Sequence, residues 1–493
     1  MTTFNVLEKP IDERLALSDS EKIKYQEIKH QQLVAGLSEL LQQLPPNDLA
    51  VFGGEKVRSQ PYPEWPVSDA RDVAAVTEVV QSNQWGGAPY PGPKTAAFAE
   101  QFARMQSGGA WGKAHAVLLM NGSLTMEVAL KAAEIGWGDE VIVPAYTFQA
   151  TASAPIAAGA IPVIVDVDPE TYCISPAAIE AAITPKTRAI IPVHLGAQMA
   201  DMDTIMAIAR RHNLVVIEDC AHAHGAQWNG QGAGTIGDFG SFSLQSSKLL
   251  TVGEGGILLC REQHMAARAT SLIDCGRWPK DKETTPADED AAAQLLHTLM
   301  QFGGEQESGV LGMNYRMTEL QAALGTVALK RFGAQQRDRA EMVTYLESRL
   351  SEVPGIRRLK QQSQHTQRSV YRYIFALEPD TFGAAHEEVC LALHAEGIAC
   401  SKGYQAMHRD SLFQPRKSRL PVPSEFGEYF NFEQMSLPEA ERACGREAVW
   451  LNECVFRAGR QGIDDVITAL KKVQRSAPIL CAAKQAFMGM VQS

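Results

Sequence analysis

The chain has 493 residues, 45% hydrophobic and 21% charged, with a net charge of −11. This length allows two or three domains around a large core, and an acidic balance without any basic block argues against a nucleic-acid partner. No apolar run reaches the roughly 18–20 residues needed to span a bilayer, so no membrane association is expected.

Nine cysteines are scattered along the chain without a CxxC pair. That pattern fits free thiols in a reducing compartment better than a disulfide frame or a zinc ribbon. The first residues lack the basic-then-apolar order of a signal peptide, so a cytoplasmic location is expected.

In chain order, residues 12–44 carry leucines at helical spacing and predict a helix, which Pro45-Pro46 stops. Residues 51–67 are rich in Gly, Pro and aromatics and predict an irregular arm. Helices are predicted over 70–82 and 95–106. Short apolar strands follow at Ala116–Met120, Glu140–Val143, Pro162–Val167, Ala189–Val193, Leu214–Glu218, Phe239–Leu244 and Gly256–Cys260. Apolar strands alternating with helices predict an α/β fold with a mainly parallel sheet covered on both faces. Residues 279–310 are acidic and polar and predict an insertion or flap. A helix over 317–352 leads into a smaller α+β part, with a strand at Val370–Leu377, a helix at 384–396 and a final helix at 463–474. The expected division is an N-terminal helix and arm (1–67), a large domain (68–325), a small domain (326–476) and a tail (477–493).

The chemistry centres on Lys248, which lies between an apolar strand and the glycine cluster Gly253 to Gly256. A lysine desolvated on such a scaffold can form a Schiff base, which points to pyridoxal phosphate (PLP). That cofactor also needs an acid for its pyridine nitrogen, a phosphate cup and a ring-stacking group. Asp219 ends a predicted strand, where ligands of open α/β sheets sit; a helix cap is its competing role. Asn121-Gly122-Ser123-Leu124-Thr125 opens a helix predicted over 125–136 and offers N–H groups to a phosphate. Ser243 is a further phosphate candidate, and Phe148, after the strand at 140–143, is a candidate for stacking on the ring. His222 is placed near the cofactor's phenolic oxygen, with a buried structural histidine as the alternative.

Two patterns mislead. Gly232-Ala-Gly-Thr-Ile-Gly237 spells GxGxxG, but polar turn-like residues precede it and a strand follows. That context predicts a hairpin, not a dinucleotide site. Asp219-Cys220-Ala-His222-Ala-His224 holds ligand-type residues without a supporting zinc motif, so no metal is expected.

Together these segments resemble the DegT/DnrJ/StrS-type family of fold-type I PLP aminotransferases acting on keto-sugars and cyclitols. The resemblance covers roughly residues 65–475. It rests on Asn121 to Leu130, Val143 to Thr151, Val165 to Asp168, Glu218 to Gly225, Ser243 to Gly256, and Asn314-Tyr-Arg316 through Ala323. It implies that Lys248 bears the Schiff base and shuttles protons, that Asp219 pairs with the pyridine nitrogen and that Phe148 stacks on the ring. It further implies that Gly122, Ser123, Leu124 and Ser243 hold the phosphate. Asn314 or Arg316 would reach a neighbouring subunit's cofactor, implying a homodimer with shared sites. Trp85, Tyr404 and His408 would line the substrate pocket.

The run Ala221 to Gly225 followed by Gly232 to Gly237 is most similar to the branch of glutamine:scyllo-inosose-type aminotransferases and aminohydroxybenzoate synthases. Relatives with histidine in place of this lysine deoxygenate their substrates, so Lys248 favours transamination. L-Glutamine or L-glutamate is the expected donor and a keto-cyclitol or keto-sugar the expected acceptor. The alternatives are an aminohydroxybenzoate-synthase-like dehydratase and a nucleotide-keto-sugar aminotransferase. No basic cluster marks a nucleotide diphosphate, which favours a free ring as acceptor.

Overall fold

The computed structural model describes residues 48–87, 90–108, 115–278 and 310–492. The helix expected over 12–44 and all but the last residue of the 279–310 insertion lie outside them.

Two helices open the described chain, α1 (Ala70–Ser82) and α2 (Pro93–Ser107). Asp69 and Asp72 close a capping box at the start of α1, satisfying two of its free N–H groups. Next come β1 (His115–Leu119), α3 (Gly122–Ala132), β2 (Glu140–Pro144), α4 (Ala150–Ala158), β3 (Ile161–Val165), α5 (Pro176–Ala182), β4 (Thr187–Ile190), α6 (Met202–His212) and β5 (Val215–Asp219). A small hairpin follows, β6 (Gln227–Trp228) and β7 (Gln231–Gly232), and then β8 (Phe239–Ser243), β9 (Gly256–Cys260) and α7 (Gln263–Ile273).

Seven of these strands form one sheet in the order β1-β9-β8-β5-β4-β2-β3. Only β9 runs against the others. The expected α/β architecture is therefore present. The strands are largely apolar, β2 and β9 being buried at every position, because helices cover both faces.

Element ends differ from expectation for local reasons. Helix α3 starts at Gly122 rather than 125, because the Asn121 side chain accepts from Leu124 N at 3.0 Å and caps it there. Strand β4 ends at Ile190 rather than Val193. Pro192 has no N–H for the ladder, and pairing resumes as a single bridge between Val193 and Asp219.

Helix α8 (Glu319–Leu350) leads to the second part. A four-stranded antiparallel sheet follows in the order β10-β12-β14-β13, from β10 (Ile356–Arg358), β12 (Arg372–Leu377), β13 (Cys400–Ser401) and β14 (Ala448–Asn452). Strand β11 (His365–Gln367) joins the β6–β7 hairpin instead. Helices α9 (His386–Ala395) and α10 (Gly459–Arg475) pack with this sheet. Two hydrophobic clusters result, and α8 runs through both. Ala322 and Phe332 belong to the first, and Met342, Val343, Leu346 and Leu350 to the second. The division expected at 325/326 falls inside this continuous helix.

The tail corrects an expectation. Helix α10 is not final: α11 (Ala477–Gln492) follows it. Ala477 and Leu480 bury against the second cluster, and Lys484 pairs with Glu388.

Candidate active site

The carboxyl ends of the parallel strands converge on a cavity of about 420 Å³, within the usual range for small-ligand sites. Of the residues singled out from sequence, Gly122, Ser123, Phe148, Asp219, His222, Ser243, Lys248 and Tyr404 line it. They arrive from the end of β1, the end of β2, the β5 terminus and the β8 terminus, with Tyr404 coming from the loop after β13.

Lys248 sits in the turn after β8. Its Nζ lies 4.4 Å from the centroid of the Tyr371 ring. Burial lowers its pKa, although Tyr371 and Asp219 oppose that shift. The shift is toward an amine suited to nucleophilic and proton-transfer chemistry.

Asp219 accepts from Thr151 Oγ1 at 2.9 Å and from Ala221 N at 3.1 Å. Burial raises its pKa; these two hydrogen bonds and the positive charge of Lys248 pull the other way. The carboxylate thus faces the cavity with a cation-sized demand for a partner.

His222 is buried, and burial together with Lys248 and Arg372 pushes its pKa well below the ordinary value. Its Nδ1 accepts from Gly196 N at 3.2 Å, and its Nε2 lies 3.2 Å from the Tyr404 hydroxyl. The neutral ring therefore carries its proton on Nε2 and donates to Tyr404. The Phe148 ring stands 5.9 Å from that of Tyr404.

Backbone closeness shapes the cup at the start of α3. A Cβ on Gly122 would stand 2.6 Å from Ser243 Cβ, so only glycine brings the two segments this close. Leu124, expected in the cup, gives its N–H to Asn121 and lies outside the lining.

Four other expected residues also lie outside it. Trp85 is 52% exposed and donates from Nε1 to the Val80 carbonyl. His408 is buried, with Nε2 2.6 Å from Glu441. Arg316 pairs with Asp274, and Asn314 bridges to the same residue's backbone at the surface.

Sequence reasoning missed Thr151, Tyr371, Ser247 and Gln245. Thr151 lies in the first turn of α4, four residues after Thr147, whose hydroxyl it meets at 2.9 Å. Tyr371 comes from the loop leading into β12, more than 120 positions beyond Lys248, and nothing local marks it.

The GxGxxG run does other work. Gly234, Ile236 and Gly237 donate their N–H groups to the Glu218 carboxylate at 2.8, 2.7 and 2.7 Å. His194 adds a contact at 3.0 Å from Nε2, while Ala200 N bonds its Nδ1. Gly234 has φ +78°, and a Cβ there would strike the Phe242 ring at 2.7 Å. His194, Glu218 and Cys220 cluster within 4.8 Å, but the Glu218 oxygens are already held by these donors. The cluster is a buried hydrogen-bond network.

Residues 66–449 match the DegT/DnrJ/EryC1/StrS aminotransferase family. The chain belongs to that family. It is 38% identical over 439 residues to a putative L-glutamine:3-amino-2,3-dideoxy-scyllo-inosose aminotransferase of Streptoalloteichus tenebrarius, covering 88% of this chain and 99% of the relative. It is 35% identical to the L-glutamine:scyllo-inosose aminotransferase of Streptomyces griseus, covering 87% and 97%. The crystal structure of 3-amino-5-hydroxybenzoic acid synthase superposes with a TM-score of 0.70 at 28% identity, over 85% of this chain and all of that one.

The family is one of PLP-dependent aminotransferases, and this chain is such an enzyme. Its cavity fits the cofactor. The desolvated Lys248 amine meets the aldehyde's need, Asp219 that of the pyridine nitrogen, and the Gly122–Ser243 contact with the α3 N-terminus that of the phosphate. Among the described residues no helix is long and apolar enough to cross a membrane.

Proposed function

We propose that this enzyme transfers an amino group from L-glutamine or L-glutamate to a keto-cyclitol or keto-sugar in aminocyclitol or antibiotic biosynthesis. The observation that carries the reading is a lysine, not a histidine, facing Asp219 across the cavity, in a chain whose relatives are named for inosose amination.

Pyridoxal phosphate supplies an aldehyde that exchanges amines and a ring that holds the electrons of a broken C–H bond. Lys248, whose pKa burial lowers, would take the donor's α-proton and carry it for return during the amine exchange. Asp219 holds the pyridine nitrogen protonated. His222 contacts the phenolic oxygen, Phe148 covers a ring face, and Gly122, Ser123 and Ser243 hold the phosphate. Tyr404 meets the acceptor. His408, through its bond to Glu441, fixes the segment that bears Tyr404.

The working form is proposed to be a homodimer with shared sites. Leu311 and Met313 flank Asn314 and are 96% and 57% exposed, the character of a covered interface. Asn314, Arg316 and Trp85 then serve the neighbouring subunit's cavity. Nine free cysteines favour a cytoplasmic location.

The test is a panel of keto-cyclitols and keto-sugars offered to the amino-loaded enzyme. The expected result is amination of a free ring with loss of only the exchanged carbonyl oxygen. Amination confined to nucleotide-linked sugars would overturn the acceptor assignment. The likeness to 3-amino-5-hydroxybenzoic acid synthase favours a second reading, ring dehydration, which product mass separates by one water.

A further inference from the structure

Tyr371 lies at the end of the loop leading into β12, only 6% exposed, and reaches the lysine turn from the opposite side of the cavity. Its hydroxyl is 2.8 Å from Ser247 Oγ. The Lys248 amine lies over its ring, 4.4 Å from the centroid.

Gln245 Oε1 accepts from the backbone N–H of Ser247 at 2.9 Å, and its Nε2 donates to Ser246 Oγ at 2.8 Å. This fixes which end of the amide is the oxygen. That oxygen can only accept, so at 2.7 Å the Ser247 hydroxyl donates to it. Ser247 has then used its proton, and the contact with Tyr371 must have the phenol donating. With its proton turned to Ser247, the Tyr371 oxygen offers its lone pairs to Lys248.

We propose that Tyr371 is a further catalytic residue. It accepts an N–H from Lys248 and donates to Ser247, so the lysine amine is held with its own lone pair free for the proton it moves. When Lys248 takes a proton, the ammonium N–H so formed is bound by the same phenol oxygen. No bond other than N–H and C–H is made or broken. The proposal rests on Lys248 being the proton carrier.

The surroundings agree. Burial opposes ionisation of the phenol, but Lys248, Arg372 and the Ser247 hydrogen bond outweigh it and hold Tyr371 below its ordinary value. The Arg372 guanidinium stands 4.1 Å from the ring centroid and the His222 ring 4.4 Å from it. The groups facing the phenol are thus Lys248, Arg372 and Ser247, with neutral His222 beside it and Tyr404 and Asp219 across the cavity.

The test uses full-length enzyme with Tyr371→Phe and Ser247→Ala, and has two readouts. In the cofactor-free protein, ultraviolet difference titration should show one phenol ionising before the others. It should vanish in Tyr371→Phe and move upward in Ser247→Ala. In the holoenzyme, exchange of the α-proton of L-glutamine or L-glutamate with heavy water should slow about 10–100-fold in Tyr371→Phe. Cofactor content should stay unchanged, and the slowing should be smaller in Ser247→Ala. An unaltered exchange rate in Tyr371→Phe, or no early phenol in the wild type, overturns the proposal. Lys248→Ala separates the two levels: exchange persisting there sinks the proton-carrier reading itself, whereas exchange lost there but untouched in Tyr371→Phe sinks only the role of the tyrosine.

Discussion

Thr151→Val removes one hydroxyl and keeps the side chain's shape. In the wild type that hydroxyl donates to Asp219 Oδ2 at 2.9 Å and accepts from Thr147, 2.9 Å away. The variant leaves Asp219 with the Ala221 N–H alone among these two donors. A hydrogen bond to a charged group contributes about 1.5–3 kcal/mol, so affinity for pyridoxal phosphate should fall roughly ten- to hundredfold. The pH dependence carries the sharper prediction. Burial already raises the Asp219 pKa, and loss of the hydroxyl raises it further. The carboxylate proposed to hold the pyridine nitrogen is then lost earlier on acidification, so the affinity deficit should widen as pH falls. Stability of the cofactor-free protein should behave oppositely. A carboxyl whose folded pKa is raised contributes its stabilisation at low pH and loses it as pH rises through the folded value. The variant should therefore be less stable than wild type on the alkaline side, with the gap closing in acid. Cofactor titration by absorbance and urea unfolding, each across pH, measure the two effects. Equal affinity at every pH, or deficits that change in the same direction with pH in both assays, would refute the role given to Thr151.

Lys248→Ala should abolish turnover and the visible absorption band of lysine-linked cofactor; retention of both would remove Lys248 from the mechanism. Gly122→Ala should push Ser243 away, since the added Cβ falls 2.6 Å from Ser243 Cβ; overpacking of about 1–3 kcal/mol should appear as weakened inorganic-phosphate and cofactor binding in competition titrations. His224, whose pKa burial lowers to about 3, packs 5.4 Å from Phe242. A histidine with a depressed folded pKa gives stability above its unfolded value and loses it below, so His224→Phe should flatten the decline in unfolding free energy below pH 6.5 by up to about 1.4 kcal/mol per pH unit. Trp65→Phe deletes the Nε1–H bond to the Ser246 carbonyl at 3.0 Å and should speed cofactor loss on dialysis a few-fold, as a bond of about 0.5–1.5 kcal/mol implies.

What could be read from sequence follows the range of the interactions. The large sheet was legible because most of its strands are short, largely apolar runs separated by helical stretches. Lys248, Asp219 and Gly122 were legible because each sits where a strand ends, and the alternating fold brings such ends together. Tyr371 and Gln245 were not, since their roles depend on β12 docking beside the β8 turn. Helix α11 was missed because its burial depends on Ala477 and Leu480 meeting the second cluster, a contact without a periodic signature strong enough to stand alone. Leu124 stands outside the cavity lining, where Asn121 caps α3 on its amide, while Gly122 and Ser123 stand within it.

The adjacent acids Glu218 and Asp219 show how one strand end yields two fates. Side chains alternate along a strand, so the two carboxylates point to opposite faces of the sheet. Glu218 faces the glycine-rich loop, where three backbone N–H groups and His194 hold its oxygens. Asp219 faces the cavity with Thr151 and Ala221 as its hydrogen-bond donors, and burial penalises its charge. A carboxylate left short of partners in a buried site gains most from a cation placed beside it. In the proposed site the GxGxxG run thus serves the cofactor indirectly. By occupying Glu218 it leaves Asp219 as the acid with demand to spare, which a protonated pyridine nitrogen can meet. Exchanging the two residues, Glu218→Asp with Asp219→Glu, should retain both charges yet lose cofactor binding, because neither carboxylate would then match the donors on its own face.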